Sequence, residues 1–275
     1  MIPVTLQNMP KTSKLTKKLP EKSLKKTDLP VEIMNVAIHG TQINRVLKKI
    51  WLQRKEMLHI ATVNPEFVME AQSNARFRES LKNCLTVADG WGIVWASKIQ
   101  SESNKVEVER ISGTWLSDQI VAHAAENGEK VFLLGGQPGV AEQAAGNLSK
   151  IYPQLQISWY SGAQTVKVEK NEEASMTIAK INAYEPDYLL VAYGSPWQDI
   201  WIEDNRPYLR VRVAMGVGGV LDEWAGSVRL CPEWIDNLGF KWLWRVLTQP
   251  WRLPRVMRVL QFGFMVLLLR LKRLF

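Results

Sequence analysis

The chain has 275 residues, of which 46% are apolar, and its formal net charge is +8. A chain of this length and composition buries enough apolar surface for one large domain, which excludes a disordered chain and a disulfide-stabilised scaffold. Its two cysteines, Cys84 and Cys231, form no CxxC motif and join no Cys/His cluster, so no metal site is predicted. Two free thiols and the expected absence of a cleavable signal peptide indicate the reducing cytoplasm.

The positive charge is concentrated at the two ends of the chain. Residues 1–30 carry +5 and residues 237–275 carry +8, which leaves −5 for residues 31–236. A nucleic-acid binder more often carries its positive charge on the folded body, so no nucleic-acid partner is expected. Residues 1–30, rich in Lys, Pro, Ser and Thr, are predicted to form a disordered basic arm. The simpler alternative is a solubilising tail without function.

From residue 31 onward, short apolar runs alternate with segments of helical period, which is typical of βα units and a mostly parallel sheet. Strands are predicted at 31–38, 57–62, 84–88, 130–134, 155–160, 187–193 and 210–215. Helices are predicted at 41–55, 65–82, 91–99, 113–127, 138–151, 172–184 and 197–206. Gly, Pro and Asn follow most strands, so the sequence predicts a ligand-binding cleft at the carboxyl edge of the sheet.

The last 44 residues have a different character, because they combine tryptophans, aliphatic residues and almost purely positive charge. Pro250 and Pro254 interrupt this region, so helices are predicted near 234–248 and 255–272. The apolar run Val259–Leu269 is too short for a spanning helix, which needs about 20 residues. The composition favours a segment that lies on an anionic membrane surface. The alternative is a terminal helix packed on the core.

Polar residues follow two of the predicted strands in a pattern that suits a site. Thr62 and Asn64 end the second strand, and Pro65 stands at the favoured first position of the next helix. Asn64 is equally suited to cap that helix. Asp89 follows the third strand and precedes Gly90, so its carboxylate is a candidate general base if the cleft receives a hydroxyl-bearing substrate. A simple Asp-Gly turn is the alternative.

Two later strand ends carry further candidate binding residues. Gly135 and Gly136 form a strand–turn–helix connection that resembles a phosphate cradle, although it is not GxGxxG and no acid ends the next strand. Gln198 begins a helix, where its amide could bond to sugar or uracil, and capping by Ser195 or Asp199 is the alternative. The sequence holds no P-loop, GxSxG or HExxH motif. Its histidines, His39, His59 and His123, are interpreted as structural.

The order of these motifs is more specific than any one of them. TxN at 62–64, ADGWG at 88–92, LLGG at 133–136, GSPxQ at 194–198, GVGG at 216–219 and a Trp/Arg-rich end resemble the WecG/TagA/CpsF family of bacterial glycosyltransferases. The resemblance implies a Rossmann-like α/β fold of the GT-E type, a mostly parallel sheet flanked by helices with a C-terminal helical appendage. Composition and resemblance together predict a disordered basic arm at 1–30, a transferase domain at 31–231 and a membrane-associating helical appendage at 232–275.

The resemblance further implies an inverting, metal-independent transfer that uses no cofactor. The expected donor is a UDP-sugar, with N-acetylmannosamine as the best candidate, and the expected acceptor is N-acetylglucosamine on undecaprenyl diphosphate. Such an enzyme would act in cell-surface polysaccharide or teichoic acid synthesis, in the cytoplasm and peripherally on the inner face of the membrane. Self-association is also implied.

Site roles are carried over from the family by position. Asp89 matches the general base, and Thr62, Asn64 and Gln198 match residues of the pocket. Arginines of the appendage match Arg245, Arg252 and Arg255. The chain has no DxD pair, so guanidinium groups are the best remaining partners for the departing diphosphate, with Arg245 as the first choice. Departures include Asp199 and Lys241, which both stand where the family usually has Glu.

Two other function classes stay open on the sequence alone. A Rossmann-like nucleotide-binding oxidoreductase would need a complete GxGxxG and an acidic ribose partner, and both are missing. A non-enzymatic membrane adaptor could use the basic ends, but it would have no need of polar residues gathered at one sheet edge.

Overall fold

The computed structural model describes residues 30–100, 106–163, 166, 171–250 and 253–274. The predicted basic arm, Pro30 apart, lies outside the described residues. Two clusters of contacts divide the chain into compact units. The first unit contains residues 47–61 and 113–228, and the second contains the described parts of residues 23–46, 62–112 and 229–275. The predicted division at 1–30, 31–231 and 232–275 stays a prediction.

The main element is a six-stranded sheet in the order β4-β3-β8-β7-β5-β6. The pairs β3–β8, β8–β7, β7–β5 and β5–β6 are parallel, which confirms the predicted parallel sheet. Its strands are β3 (Leu58–Val63), β4 (Cys84–Ala88), β5 (Lys130–Gly135), β6 (Gln156–Tyr160), β7 (Tyr188–Ala192) and β8 (Val213–Gly216).

Burial explains why the strands could be read from the sequence. Every residue of β3, β4 and β8 is buried, as expected for parallel strands covered by helices on both faces. Such strands read as continuous apolar runs rather than as alternating patterns. Strand β6 is at the edge of the sheet and is the least buried, with Trp159 exposed.

The predicted strand at 31–38 is wrong in one respect, because it is a hairpin. Strands β1 (Val31–Ile33) and β2 (Val36–Ile38) pair antiparallel. Met34 and Asn35 between them have φ angles of 49° and 63°. Two consecutive left-handed residues form the tight turn that suits a two-residue hairpin. The turn was missed because methionine is an uncommon residue in that conformation.

The helices follow the predicted alternation. They are α1 (Ile43–Leu52), α2 (Pro65–Ser73), α3 (Ala75–Lys82), α4 (Trp91–Gln100), α5 (Gly113–Asn127), α6 (Val140–Ile151), α7 (Asn171–Tyr184), α8 (Trp197–Asn205), α9 (Val220–Ala225), α10 (Glu233–Asn237), α11 (Lys241–Thr248) and α12 (Leu253–Leu274), with a 3₁₀ turn at Arg206–Tyr208.

Two predicted helices are each divided in two. The helix predicted at 65–82 breaks at Asn74, whose Oδ1 accepts a hydrogen bond from the Phe77 N–H at 3.0 Å and so caps α3. The helix predicted near 234–248 breaks at Gly239, which has a φ of 85°.

The terminal helix α12 packs against α2 and α4 within the second unit. Phe262 and Val266 are its buried residues, and Arg258 Nη1 lies 2.8 Å from Glu70 Oε2. The predicted alternative of a packed terminal helix therefore holds for one face of α12. Within the described residues, no helix combines the length and the hydropathy that crossing a membrane requires.

Candidate active site

Asp89 lies at the carboxyl end of β4, where the chain turns into α4. Its backbone N–H donates to the Val63 carbonyl at 2.7 Å, which ties it to the end of β3. Gly90 follows with a φ of 91°, and α4 begins at Trp91. The Ile111 N–H donates to the Ala88 carbonyl at 2.8 Å, so the segment before α5 is held beside the same strand end. Asp89 is therefore fixed by backbone bonds, and it stays partly exposed.

The electrostatic surroundings of Asp89 are unusual for a carboxylate at a turn. Burial raises the pKa of the Asp89 carboxyl above its ordinary value. The positive charges of Lys241, Arg110 and Arg245 oppose this rise in pKa, and the negative charge of Asp236 adds to it. Asp89 is thus a stronger base than a solvated aspartate, and three cations favour its ionised form. The combination suits a carboxylate that accepts a proton.

Arg110 also belongs to this group, although no sequence motif predicts it. Its Nη2 donates to Asp236 Oδ1, and its Nη1 lies 3.4 Å from the Asp236 carbonyl oxygen. The guanidinium carbon lies 5.8 Å from the centroid of the Trp91 ring. No motif marked Arg110, because its partner is 126 residues away along the chain.

Trp91 connects the appendage to the neighbourhood of Asp89. A Cβ on Gly239 would lie 2.9 Å from Trp91 Cδ1, so the turn after α10 packs directly on the indole. Trp91 Nε1 and Arg110 Nε are buried and make no hydrogen bond to any described residue. A buried N–H without a partner is costly, and a ligand oxygen that reached either donor would remove that cost.

The other candidates of the second unit differ in what the structure shows of them. Asn64 caps α2, since its Oδ1 accepts from the Phe67 N–H at 3.0 Å, as the capping alternative predicted. Thr62 is buried at the end of β3. Arg245 lies on α11 and acts electrostatically on Asp89. Arg255 Nε is 3.8 Å from Glu66 Oε2. Arg252 lies outside the described residues.

In the first unit, Gly135 and Gly136 form the turn between β5 and α6. Their φ angles are 93° and 81°, and a Cβ on Gly135 would lie 2.9 Å from Tyr193 Cδ1. Glycine is therefore required at this strand end. The Gly136 N–H donates to the Ala192 carbonyl at 3.2 Å, so this N–H already has a partner within the protein.

Gln198 lies in the first turn of α8 and is almost fully buried. Its Oε1 accepts a hydrogen bond from the Gly218 N–H at 3.0 Å. The alternative of side-chain capping at this helix is wrong, because the N-cap residue is Pro196 and no side chain caps α8. The carboxamide is held against the GVGG loop instead.

Gly216 on β8 leaves the space that Gln198 occupies. A Cβ on Gly216 would lie 2.5 Å from Gln198 Nε2 and 2.9 Å from Asp199 Oδ1. Both neighbours are buried, so neither can turn away into solvent. Gly216 is therefore a site residue that the motifs did not single out, and its role is to leave room for Gln198.

Gly216→Ala is expected to displace the Gln198 carboxamide and to lower the free energy of unfolding by about 1–3 kcal/mol, as overpacking does. Gly146→Ala is the matched control, since Gly146 lies inside α6 and a Cβ there would meet nothing within 4 Å. The control should gain up to about 1 kcal/mol from helix propensity. Denaturant unfolding of both variants measures the difference, and equal stabilities would contradict the packing described.

Comparison with known proteins identifies the family. The model of the "Glycosyl transferase WecG/TagA/CpsF family" matches residues 31–274. The chain belongs to this glycosyltransferase family. The oxidoreductase and adaptor alternatives are therefore set aside, and the resemblance inferred from the motifs is confirmed.

Two proteins that are similar to this glycosyltransferase bear the same name. This chain is 28% identical over 222 residues to the N-acetylglucosaminyldiphosphoundecaprenol N-acetyl-beta-D-mannosaminyltransferase of Bacillus subtilis (strain 168). The match covers 80% of this chain and 83% of the relative. The chain is 30% identical over 231 residues to the enzyme of the same name from Staphylococcus aureus (strain MRSA252), covering 82% and 87%.

Proposed function

We propose that this glycosyltransferase moves N-acetylmannosamine from a UDP-sugar to N-acetylglucosaminyl-diphosphoundecaprenol, with inversion and without a metal. The names of the two relatives support the acceptor and the sugar. The observation that carries the catalytic part is the position of Asp89, a partly buried carboxylate acted on by Lys241, Arg110 and Arg245. The enzyme would serve the synthesis of a cell-surface polymer.

In the proposed reaction, Asp89 accepts the proton of an acceptor hydroxyl as that oxygen attacks the anomeric carbon of the donor. The new C–O bond forms while the bond from the anomeric carbon to the UDP oxygen breaks, and the bonding pair leaves with UDP. A single displacement of this kind inverts the anomeric centre. The proton held on Asp89 passes to solvent after release of the products.

Negative charge grows on the diphosphate as the bond breaks, so a cationic group must stabilise it. Arg245 is proposed for this role because its charge reaches the Asp89 carboxylate. Arg110 and Trp91 are proposed to add the N–H donors that have no partner among the described residues. Guanidinium groups bind diphosphate oxygens in a bidentate manner, which supports a mechanism that needs no metal ion.

The remaining candidates are proposed as binding residues. Gly135 and Gly136 allow a donor to approach the backbone closely, and Gln198 is proposed to contact the donor through the carboxamide N–H groups that its bond to Gly218 leaves available. Thr62 and Asn64 are proposed for the pocket beside Asp89. Arg252 and Arg255 are proposed to contact the lipid diphosphate or the headgroups.

A donor panel tests the proposed activity. UDP release is measured with several UDP-sugars, in the presence and absence of a lipid-diphosphate N-acetylglucosamine analogue. Release is expected with UDP-N-acetylmannosamine only when the acceptor is present, and the product should carry one added sugar. Faster acceptor-dependent release with UDP-glucose would contradict the choice of sugar, and release without any acceptor would contradict the transfer.

The appendage is proposed to bind an anionic lipid surface, which would place the enzyme peripherally on the inner face of the membrane. The support is a set of exposed apolar side chains on α11 and α12, here called the appendage face: Leu243, Leu247, Leu253, Met257, Leu260, Phe264, Leu267 and Leu271. Exposed arginines, among them Arg255, Arg258 and Arg270, lie on the same helix. Apolar side chains flanked by basic ones are typical of helices that lie in a membrane interface.

Leu260→Glu combined with Phe264→Glu is expected to lower binding to phosphatidylglycerol vesicles by about tenfold or more, because two apolar side chains that would enter the interface become charged. Leu52→Glu is the control, since Leu52 is equally exposed but lies on α1. Sedimentation with vesicles gives the bound fraction. Unchanged binding of the double variant would contradict the assignment of this face.

Self-association stays a prediction.

A further inference from the structure

A buried group of charged side chains lies behind Gln198 in the first unit. His59 on β3 has no solvent exposure, and its Nδ1 is 2.6 Å from Glu203 Oε1. On the other side of the ring, His59 Nε2 is 3.4 Å from Asp199 Oδ1, and Asp199 is also fully buried. The imidazole thus lies between two carboxylates of α8.

The Glu203 carboxylate is ionised and fully engaged. Arg206 binds it in a bidentate manner, with Nη2 2.6 Å from Oε1 and Nε 3.0 Å from Oε2. Although burial acts in the opposite direction, the hydrogen bonds from His59 and Arg206 lower the pKa of Glu203 to about 2. An ionised carboxylate only accepts hydrogen bonds, so His59 Nδ1 carries a proton.

Asp199 differs from Glu203 in its hydrogen bonds. Neither of its oxygens accepts a hydrogen bond from any described residue, although both are buried. A buried carboxylate without a partner is very costly, and a bare ring nitrogen facing it would add lone-pair repulsion. An N–H on His59 Nε2 would offset both costs, because this nitrogen is 3.4 Å from Asp199 Oδ1. The ring then joins Asp199 to Glu203 and Arg206.

The Asp199 end of this connection affects the position of the Gln198 side chain. Asp199 is the next residue in the first turn of α8, and Gly216 leaves room for both side chains at once. The Gln198 Oε1 bond to the Gly218 N–H, at 3.0 Å, is possible only while that turn stays in place. A shift of Asp199 toward solvent or toward another donor would move Gln198 with it.

We infer that His59 is a positioning residue of the donor site, which acts through Asp199 to fix the first turn of α8 and so the Gln198 carboxamide. The inference rests on the proposed function, because it takes Gln198 to contact the donor. His59 itself is fully buried, so its proposed role is to act through Asp199 rather than by contact with the donor.

The affinity for UDP, measured by calorimetry on the full chain, tests this inference. Gln198→Ala is expected to weaken UDP binding by about tenfold, the equivalent of about one good hydrogen bond. Asp199→Ala and His59→Gln should weaken it to a similar extent, because each breaks the connection on one side of the ring. With substrate, the donor KM should rise while kcat changes little.

Asp199→Asn is the variant that separates positioning from folding. Its amide N–H can donate to a neutral His59 Nε2, so UDP affinity should stay within about twofold of the wild type. His123→Gln is a control, because it replaces another histidine of the same unit. The His123 ring stacks on Trp51 with 3.9 Å between the ring centroids. In ¹⁵N-labelled protein, the His59 ring should show N–H protons protected from exchange.

The outcomes are distinguishable. If Gln198→Ala weakens UDP binding but Asp199→Ala and His59→Gln bind UDP as the wild type does, the positioning role is wrong and the proposed function stands. If Asp199→Asn binds UDP as weakly as Asp199→Ala does, a hydrogen bond between His59 and the side chain at position 199 does not fix Gln198. The inference is then again overturned. If Gln198→Ala binds UDP as the wild type does, Gln198 does not contact the donor. Both the proposed donor role of Gln198 and the inference built on it are then overturned.

Discussion

Asp89→Asn is expected to lower kcat by about 10²–10⁴-fold, the usual contribution of a positioned general base, while the donor KM changes little. Asparagine keeps the shape of the side chain but cannot accept the proton of the acceptor hydroxyl. The measurement is steady-state UDP release with the lipid-linked acceptor. A variant with more than about a tenth of the wild-type kcat would be inconsistent with a general base at this position.

Stability provides the control for this variant. Because the pKa of Asp89 is raised in the folded state, its ionisation destabilises the fold as pH rises above the ordinary carboxyl value of 3.8. A neutral asparagine avoids that penalty, so Asp89→Asn should unfold at the same temperature as the wild type or at a higher one. Asp204→Asn, which removes an exposed carboxylate of α8, should leave kcat unchanged.

Arg245→Ala is expected to lower kcat/KM by about 10²–10³-fold, which is the typical cost of removing one group that stabilises transition-state charge. The loss should appear mainly in kcat, since the diphosphate gains charge only as the bond to the sugar breaks. Turnover at the wild-type rate with membrane-borne acceptor would remove Arg245 from the mechanism.

Two further substitutions show whether charge or geometry is responsible. Arg245→Lys keeps the charge but loses the planar fork, so its kcat/KM should lie between those of the wild type and Arg245→Ala. Lys82→Ala removes one positive charge from an exposed ion pair with Glu79. Lys82 is not among the charges that shift the pKa of Asp89, so this variant should keep the wild-type kcat/KM. A large loss in Lys82→Ala would indicate a general dependence on net charge instead.

The sequence predicts the sheet well because its strands are long apolar runs between clear turn residues. β3 and β4 were placed to within one residue, since every side chain in them is buried and their periodicity has no competing interpretation. The hairpin at 31–38 and the break at Asn74 were missed for a local reason. One or two residues decide each of them, and those residues leave the apolar pattern around them unchanged.

The candidate site was only partly accessible to sequence reasoning. Asp89 follows a strand and precedes a glycine, which is a local signal, whereas the cations that act on it come from residues 110, 241 and 245. No periodicity connects such distant segments. Gly216 and His59 were missed for a related reason, because their importance lies in which side chains of α8 they meet across the sheet.

The dependence of kcat/KM on pH tests the central claim most directly, because it reports the pKa of the essential base in the free enzyme. Activity should rise with pH through the raised pKa of Asp89, at a higher pH than for an ordinary carboxylate. Lys241→Gln removes the cation that lowers this pKa most, so the acidic limb should move to still higher pH. A limb that is unmoved in Lys241→Gln, or that persists in Asp89→Asn, would contradict the assignment of Asp89 as the base.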